Sequence, residues 1–396
     1  MDQKYTSKPY TRYVSQSGND RNMRLILARN EMMAKHSENK FTNINVLSWK
    51  KWLRIKSDTL PVLSFYFLSR KNATSPRFFP LLNQMQTVRI VLFKGTRFGK
   101  FDYFQLKIVR VFIKLTHHKQ KKYRWIFVTD TKFASCSVNQ ILNIDDPLYN
   151  HDETKQVLIW EKKLKSNYRE GVIIVTNETT QKYFFDLKLE SKIIIIEQGH
   201  SKNSNASNDM FEEFAFVYSS PYIDADGDKH GNHPTWGVNL FIKEIIPRLI
   251  KNDPLISIHL IGNVGDNAYK YLSNIDQVTM HGYRNIEENY HLLTKCSVGL
   301  YPRTVDNNRR VLKIYEYIGA NLPIIAFNLE DTKPVTELNI GISVDTVDEF
   351  VAAVLHMKED KNLYSFFLEN LKSIQNKYSW NILAKKFDEL IVENFK

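Results

Sequence analysis

Residues 302–312 (PRTVDNNRRVL) and the segment that follows, Lys313-Ile314-Tyr315-Glu316-Tyr317-Ile318-Gly319-Ala320, gather the residue types that handle a charged ligand. Arg303, Arg309, Arg310 and Lys313 fall between an apolar run of strand length and the start of a helix-like segment. A helix N-terminus holds anions through its free N–H groups and its dipole, and cations beside it strengthen a diphosphate site. Glu316, expected on the first turn of that helix, is placed to accept paired hydrogen bonds from ribose or sugar hydroxyls. The same spacing fits a second reading, a solvated basic loop with Glu316 favouring the helix dipole.

Other candidates lie in loops that follow strand-like runs. Ser17-Gly18-Asn19-Asp20 opens a helix-period segment; its amides could face a ligand, and Gly18 would let one approach the backbone closely. Asp130, just past the run WIFV, and Asp145 and Asp146 in NIDDP are the carboxylates placed to reach acceptor hydroxyls, with helix capping or turn formation as the equal alternative. His200, after the run 192–196, and the pair His117 and His118 are further candidates, although a lone histidine is more often structural. Asp224, Asp226 and Asp228 alternate around Gly227, with His230 and His233 close behind. A calcium loop would need its glycine two places later and a glutamate where Thr235 stands, and no third zinc ligand is evident. A solvated Asp/Gly turn is therefore expected, and no metal.

The elements that must position these residues alternate along the chain. Short β-branched runs at 45–49, 88–93, 125–128, 172–175 and 192–196, with a first strand at 13–15, show no polar alternation, as parallel strands buried on both faces do. Helix-period segments lie between them at 22–36, 101–117 and 154–167. The pattern stops at 199–209 (GHSKNSNASND), nearly free of apolar residues and linker-like. It then restarts: strands at 214–218, 257–261, 278–280, 298–301 and 323–327 alternate with helices at 237–251, 266–273, 286–294 and 312–318, and the end from 347 to 395 is mostly helical. Such alternation predicts an α/β protein of two doubly wound, Rossmann-like domains. The expected division is 1–200, a linker at 201–212, 213–378, and a closing helix at 379–396 that packs back on the first domain. In parallel sheets ligands bind beyond the C-terminal strand ends, so the site is expected where two such sheets face a central cleft.

Composition narrows the function classes. With 396 residues the chain suits two domains, and its 43% hydrophobic and 25% charged residues argue against disorder. Cys136 and Cys296 are too far apart in sequence for a redox or ligand pair, which suits a reducing cytoplasm. No apolar run reaches the roughly 20 residues of a bilayer span, and MDQKYTSKPYTRY lacks a signal-peptide core, so the expected location is cytoplasmic. The net charge of +12 is one-sided: residues 1–200 carry 35 Lys and Arg against 17 Asp and Glu, while the remainder is acidic. Segment 101–117 mixes Phe104, Leu106, Ile108, Val109, Val111 and Phe112 with Lys107, Arg110 and Lys114. It could rest on anionic lipid or simply cover the sheet.

Taken together, the C-terminal motifs resemble the GT-B glycosyltransferases, especially the large retaining family four. The stretch 309–328 (RRVLKIYEYIGANLPIIAFN) is similar to that family's donor-binding signature, in which Lys-x-x-Glu heads a helix followed by a small-residue turn, a proline and an apolar strand. Residues 258–263 (IHLIGN), 278–284 (VTMHGYR), 296–302 (CSVGLYP) and 378–391 (YSWNILAKKFDELI) follow the family's order, and 193–199 (IIIIEQG) resembles the last strand and turn of its first domain. The resemblance implies that Glu316 binds the donor ribose and that Lys313 with Arg303, Arg309 or Arg310 holds the diphosphate. It places Gly262, Asn263 and Tyr283 around the diphosphate and base. It implies transfer of a sugar, with retention, from a UDP- or GDP-linked donor to a saccharide or lipid-linked acceptor in cell-surface glycan synthesis. No further cofactor, no nucleic-acid partner and a peripheral position at the inner membrane face go with it.

Two positions depart from the pattern. Asn308 stands where the family often carries a second glutamate beside the sugar, and the Arg and Lys that usually follow the first strand of the second domain have no clean match in 219–237, where Trp236 takes the lysine's place. With Asp130 and His200, Asn308 completes the candidate catalytic set. These departures keep a second reading open, an inactive GT-B protein that partners another glycosyltransferase; a sugar-nucleotide epimerase on the same fold is a third.

Overall fold

A computed structural model describes residues 44–47, 62–65, 89–93, 125–128, 140–143, 171–189, 191–200, 213–224, 237–284, 286–305 and 311–395. The expected strand at 13–15, the helices at 22–36, 101–117 and 154–167, the linker at 201–212, and Gly18, Asp130, Asn308, Arg309 and Arg310 lie outside them. The chain divides into two compact units, residues 1–196 with 384–396, and residues 197–383.

In the first unit the described strands form a parallel sheet ordered β1-β3-β2-β4-β5-β6-β7. They are β1 (Ile44–Leu47), β2 (Val62–Phe65), β3 (Arg89–Phe93), β4 (Trp125–Val128), β5 (Gln140–Asn143), β6 (Gly171–Val175) and β7 (Lys192–Ile195). Helix α1 (Glu178–Asp186) joins β6 to β7, its start fixed by Asn177, whose side chain accepts from the Thr180 amide at 2.8 Å. β2, β5 and α1 were not expected from sequence. VLSF and QILN are four-residue runs with polar members, too short for a period to show.

The second unit carries a six-stranded parallel sheet ordered β10-β9-β8-β11-β12-β13, the 3-2-1-4-5-6 order of a dinucleotide-binding fold. Its elements run β8 (Ala215–Ile223), α2 (Val238–Leu240), α3 (Ile246–Asn252), β9 (Ser257–Val264), α4 (Asp266–Leu272), β10 (Val278–Gly282), α5 (Ile286–Leu293), β11 (Val298–Tyr301), α6 (Leu312–Ala320), β12 (Ile324–Phe327), α7 (Lys333–Glu337), β13 (Gly341–Val344), α8 (Val347–Glu359) and α9 (Lys361–Ile374), while helix α10 (Trp380–Phe395) begins in this unit and belongs to the first from Ala384 onward. Successive β8 residues enter opposite cores: Phe216 and Tyr218 pack with Phe241, Phe350 and Val354, while Ala215 and Val217 pack with Leu293, Ile314 and Ile318. That two-sided burial is why strands such as β12, IIAF, are apolar throughout. Each fully buried phenylalanine, such as Phe350, contributes about 1.5–3 kcal/mol.

Two differences from the sequence expectation have identifiable causes. The helix expected at 237–251 is interrupted by a π-type turn, Phe241–Ile245, where the Ile246 amide reaches back to Phe241 O. Pro247 requires it: in a regular helix its ring would strike the carbonyl four residues back. Strand β8 runs five residues past the expected Tyr218 because its register shifts between Ser219 and Tyr222, and Pro221 sits in that irregularity.

Candidate functional site

The strand order of the second unit reverses between β8 and β11, and ligands bind such sheets at the reversal, beyond the C-terminal strand ends. β8 and β11 pair only at Phe216↔Val298 and Val217↔Gly299 before they diverge. Tyr317 of α6 closes that gap. Its buried hydroxyl accepts from the Ser219 amide at 3.3 Å and donates to Leu300 O at 3.0 Å. Burial holds it protonated, its pKa pushed well above the usual tyrosine range. The ring lies over Gly299, where an added Cβ would come within 2.6 Å of it. The tyrosine of the Lys-x-x-Glu-Tyr segment is therefore the staple that sets the helix against the reversal.

Gly237 forms the other wall. Its φ of +76° suits glycine, and a Cβ there would stand 1.7 Å from Pro302 O. The start of α2 thus lies in backbone contact with the loop that follows β11.

Lys313 and Glu316 face the same side of α6, Nζ to Oε2 at 3.6 Å, with the lysine side chain 14% exposed and the glutamate 31%. Glu316 lies one residue beyond the first turn, not on it as expected, because α6 begins at Leu312. The three-residue spacing puts the carboxylate on the turn above the ammonium group, so a ligand would meet cation and acceptor together.

Arg303 takes a different place from the one expected. It is buried: Nε donates to Val305 O at 2.7 Å and stands 3.8 Å from Oδ2 of Asp331, which is fully buried. It braces the loop after β11 against the turn after β12. Asp331 was not foreseen from sequence. Thr332 folds it inward, its hydroxyl donating to Phe327 O at 2.6 Å and accepting from the Leu329 amide at 3.0 Å.

Gly262 (φ +146°) and Asn263 end β9, and Tyr283 follows β10, its carbonyl accepting from Arg284 Nη1 at 3.3 Å. His200 is a packing residue here: it is 2% exposed, Nε2 contacts Gln375 O at 2.8 Å, and its ring abuts Gly319 of α6. Asp224 spends its carboxylate locally, taking the Tyr222 hydroxyl at 2.9 Å and the Ala268 amide at 3.3 Å, which tethers α4. Cys296 is buried and its thiol is pushed up to about 12, so it is no nucleophile at neutral pH. Among the described residues no cluster of three metal-ligating side chains occurs, and no helix is long and apolar enough to cross a membrane.

Residues 230–360 match the family model of the glycosyl transferases group 1. No curated protein matches the chain. Among solved structures, HepE of Anabaena in complex with UDP and glucose superposes with a TM-score of 0.60 at 12% identity over 84% of this chain and 99% of that one. A mutant of TarM from S. aureus, in complex with fondaparinux, α-GlcNAc-glycerol and UDP, gives 0.53 at 15% identity, covering 72% of this chain and 58% of that one. The chain thus spans just over half of TarM. WaaG, a glycosyltransferase involved in lipopolysaccharide biosynthesis, gives 0.53 at 10% identity over 78% and 92%. Likeness at these identities shows the fold: two Rossmann-like domains of the GT-B kind. The family match, at 230–360, lies within the second unit.

Proposed function

We propose that this chain of GT-B fold is a glycosyltransferase that moves a sugar, with retention, from a UDP- or GDP-linked donor to a saccharide or lipid-linked acceptor in cell-surface glycan synthesis. The observation that carries the reading is the half-buried Lys313–Glu316 pair near the start of α6, beside the reversal of a 3-2-1-4-5-6 sheet. Lys313 and the helix N–H groups would hold the diphosphate and stabilise it as it leaves; well-placed donors contribute about 2.7–4 kcal/mol each. Glu316 would accept from the ribose hydroxyls. Gly262, Asn263 and Tyr283, at the ends of β9 and β10, would border the diphosphate and base. Arg309 and Arg310, immediately before α6 in sequence, would add positive charge, and Arg303 would act from behind by holding the loop. With Asn308 in place of a carboxylate, the leaving phosphate itself would take the acceptor's proton. HepE and TarM are both described with UDP, which favours uridine over guanosine. The basic surplus of residues 1–200 supports an anionic membrane face as the place where acceptors are met.

Calorimetric titration of UDP and GDP into wild type, Glu316→Ala and Lys313→Ala tests the donor site. Micromolar binding to wild type that both variants lose is expected. A folded wild type that binds neither nucleotide would overturn the enzyme reading and favour the inactive partner protein, to which Asn308 and Trp236 point.

A further inference from the structure

Four polar side chains run in a line beside β9 and β10, and none belongs to the donor machinery described above. Glu213, just before β8, accepts from the Ser257 hydroxyl at 2.9 Å. A carboxylate can only accept, so Ser257 gives its proton to Glu213 and receives His259 Nε2–H at 3.1 Å. His259 Nδ1 is then the bare nitrogen and accepts from His281 Nε2–H at 2.8 Å. Each group dictates the tautomer of the next, and both rings carry their proton on Nε2. The imidazoles lie nearly parallel, 15° apart with centroids at 5.1 Å. Burial, then the charge of His259 and of Arg284, pushes His281 down to about 4, and burial lowers His259 against the opposing pull of Glu213. The line is therefore neutral between the two rings at physiological pH.

The backbone explains where such a line would act. Met280 pairs with Leu260 and Gly282 with Ile261, so His281 is the extra residue of a β-bulge with no partner on β9. Gly282 follows at φ +69°, and the chain turns through Tyr283 and Arg284. The bulge leaves His281 itself out of the ladder and re-aims the chain, which has a single further rung, Gly282 with Ile261, before the turn, so side-chain bonds carry much of its direction. Ser257 and His259 are buried, 6% and 4% exposed, where apolar residues would cost less desolvation. Their hydrogen bonds add direction, which apolar packing lacks.

We propose that His281, tethered through His259, Ser257 and Glu213, is a positioning residue that fixes the turn 282–284 against the donor's nucleobase and so sets base affinity and selectivity. The proposal rests on the transferase reading above, with the base at that turn. The test is calorimetry of UDP, GDP and ADP with the full chain and with His281→Ala, His259→Phe, Ser257→Ala and His281→Gln, each checked by urea unfolding. The alanine and phenylalanine variants should weaken the preferred nucleotide about tenfold and narrow its advantage over the next best. His281→Gln, whose amide N–H can still donate to His259 Nδ1, should restore both. Nitrogen-15 NMR should show Nε2–H tautomers for both rings. Wild-type binding with unchanged affinity and preference in every variant would overturn the proposal and leave the donor site standing. So would equal weakening of all nucleotides that tracks lost stability without rescue by glutamine, or an Nδ1–H tautomer on either ring. Absence of nucleotide binding by folded wild type would instead overturn the donor reading, and this proposal with it.

Discussion

Removing the hydroxyl of Tyr317 isolates one device of the fold. In Tyr317→Phe the ring still covers Gly299, so packing volume changes by a single oxygen. Three buried partners lose their contact: the Ser219 amide at 3.3 Å, and Leu300 O at 3.0 Å and Val217 O at 3.4 Å, which share the one hydroxyl proton, on residues 5%, 0% and 0% exposed. Water does not replace the hydroxyl in so tight a place, and β8 and β11 have no ladder beyond Gly299 to share the load. A buried polar group left without a partner costs about 1–3 kcal/mol, and a carbonyl is the milder loss. A destabilisation of about 2 kcal/mol follows. With a urea m-value of about 2 kcal/mol/M the unfolding midpoint falls by roughly 1 M at unchanged slope. Urea titration followed by tryptophan fluorescence and by circular dichroism reads this directly. A midpoint equal to wild type would refute the claim that this hydroxyl holds the strand reversal closed.

Three further outcomes are expected. Gly237→Ala places a Cβ 1.7 Å from Pro302 O at a φ of +76°, so it should cost about 3 kcal/mol or more and weaken nucleotide binding, measured by urea unfolding and calorimetry. Asp331→Leu removes the carboxylate beside the buried Arg303 and should destabilise by about 3 kcal/mol, whereas the double variant Arg303→Met/Asp331→Leu should cost less than Asp331→Leu or Arg303→Met alone, a cycle read by urea unfolding. His281 and His259 are held below their ordinary pKa, so the unfolded chain takes up protons first as pH falls. The stability that rests on their neutral forms is intact above pH 6.5 and is lost as pH falls toward about 4, and His281→Gln should flatten that part of a stability-versus-pH curve.

Sequence alone carried the class of fold. β-branched runs such as IIAF at β12 or GVIIV at β6 have no polar alternation, and only strands buried on both faces of a parallel sheet tolerate that. The segment KIYEY was legible as a helix presenting Lys313 and Glu316 together, because spacing along one helix is local geometry. What sequence spacing could not supply is anything that depends on which strand lies beside which. Arg303 meets Asp331, His259 meets His281 and Tyr317 meets Ser219 only once the order β10-β9-β8-β11-β12-β13 and its registers are set. His200, a catalytic candidate in sequence, is buried, since what its ring touches is decided by Gly319 and Gln375, both more than a hundred residues away. Local propensity and hydrophobic pattern act within a few residues of the chain, while desolvation and hydrogen-bond partnership are properties of the assembled interior. The first determined that this chain would build doubly wound sheets, and the second decided which of its polar residues are buried to hold the sheet together and which stay accessible.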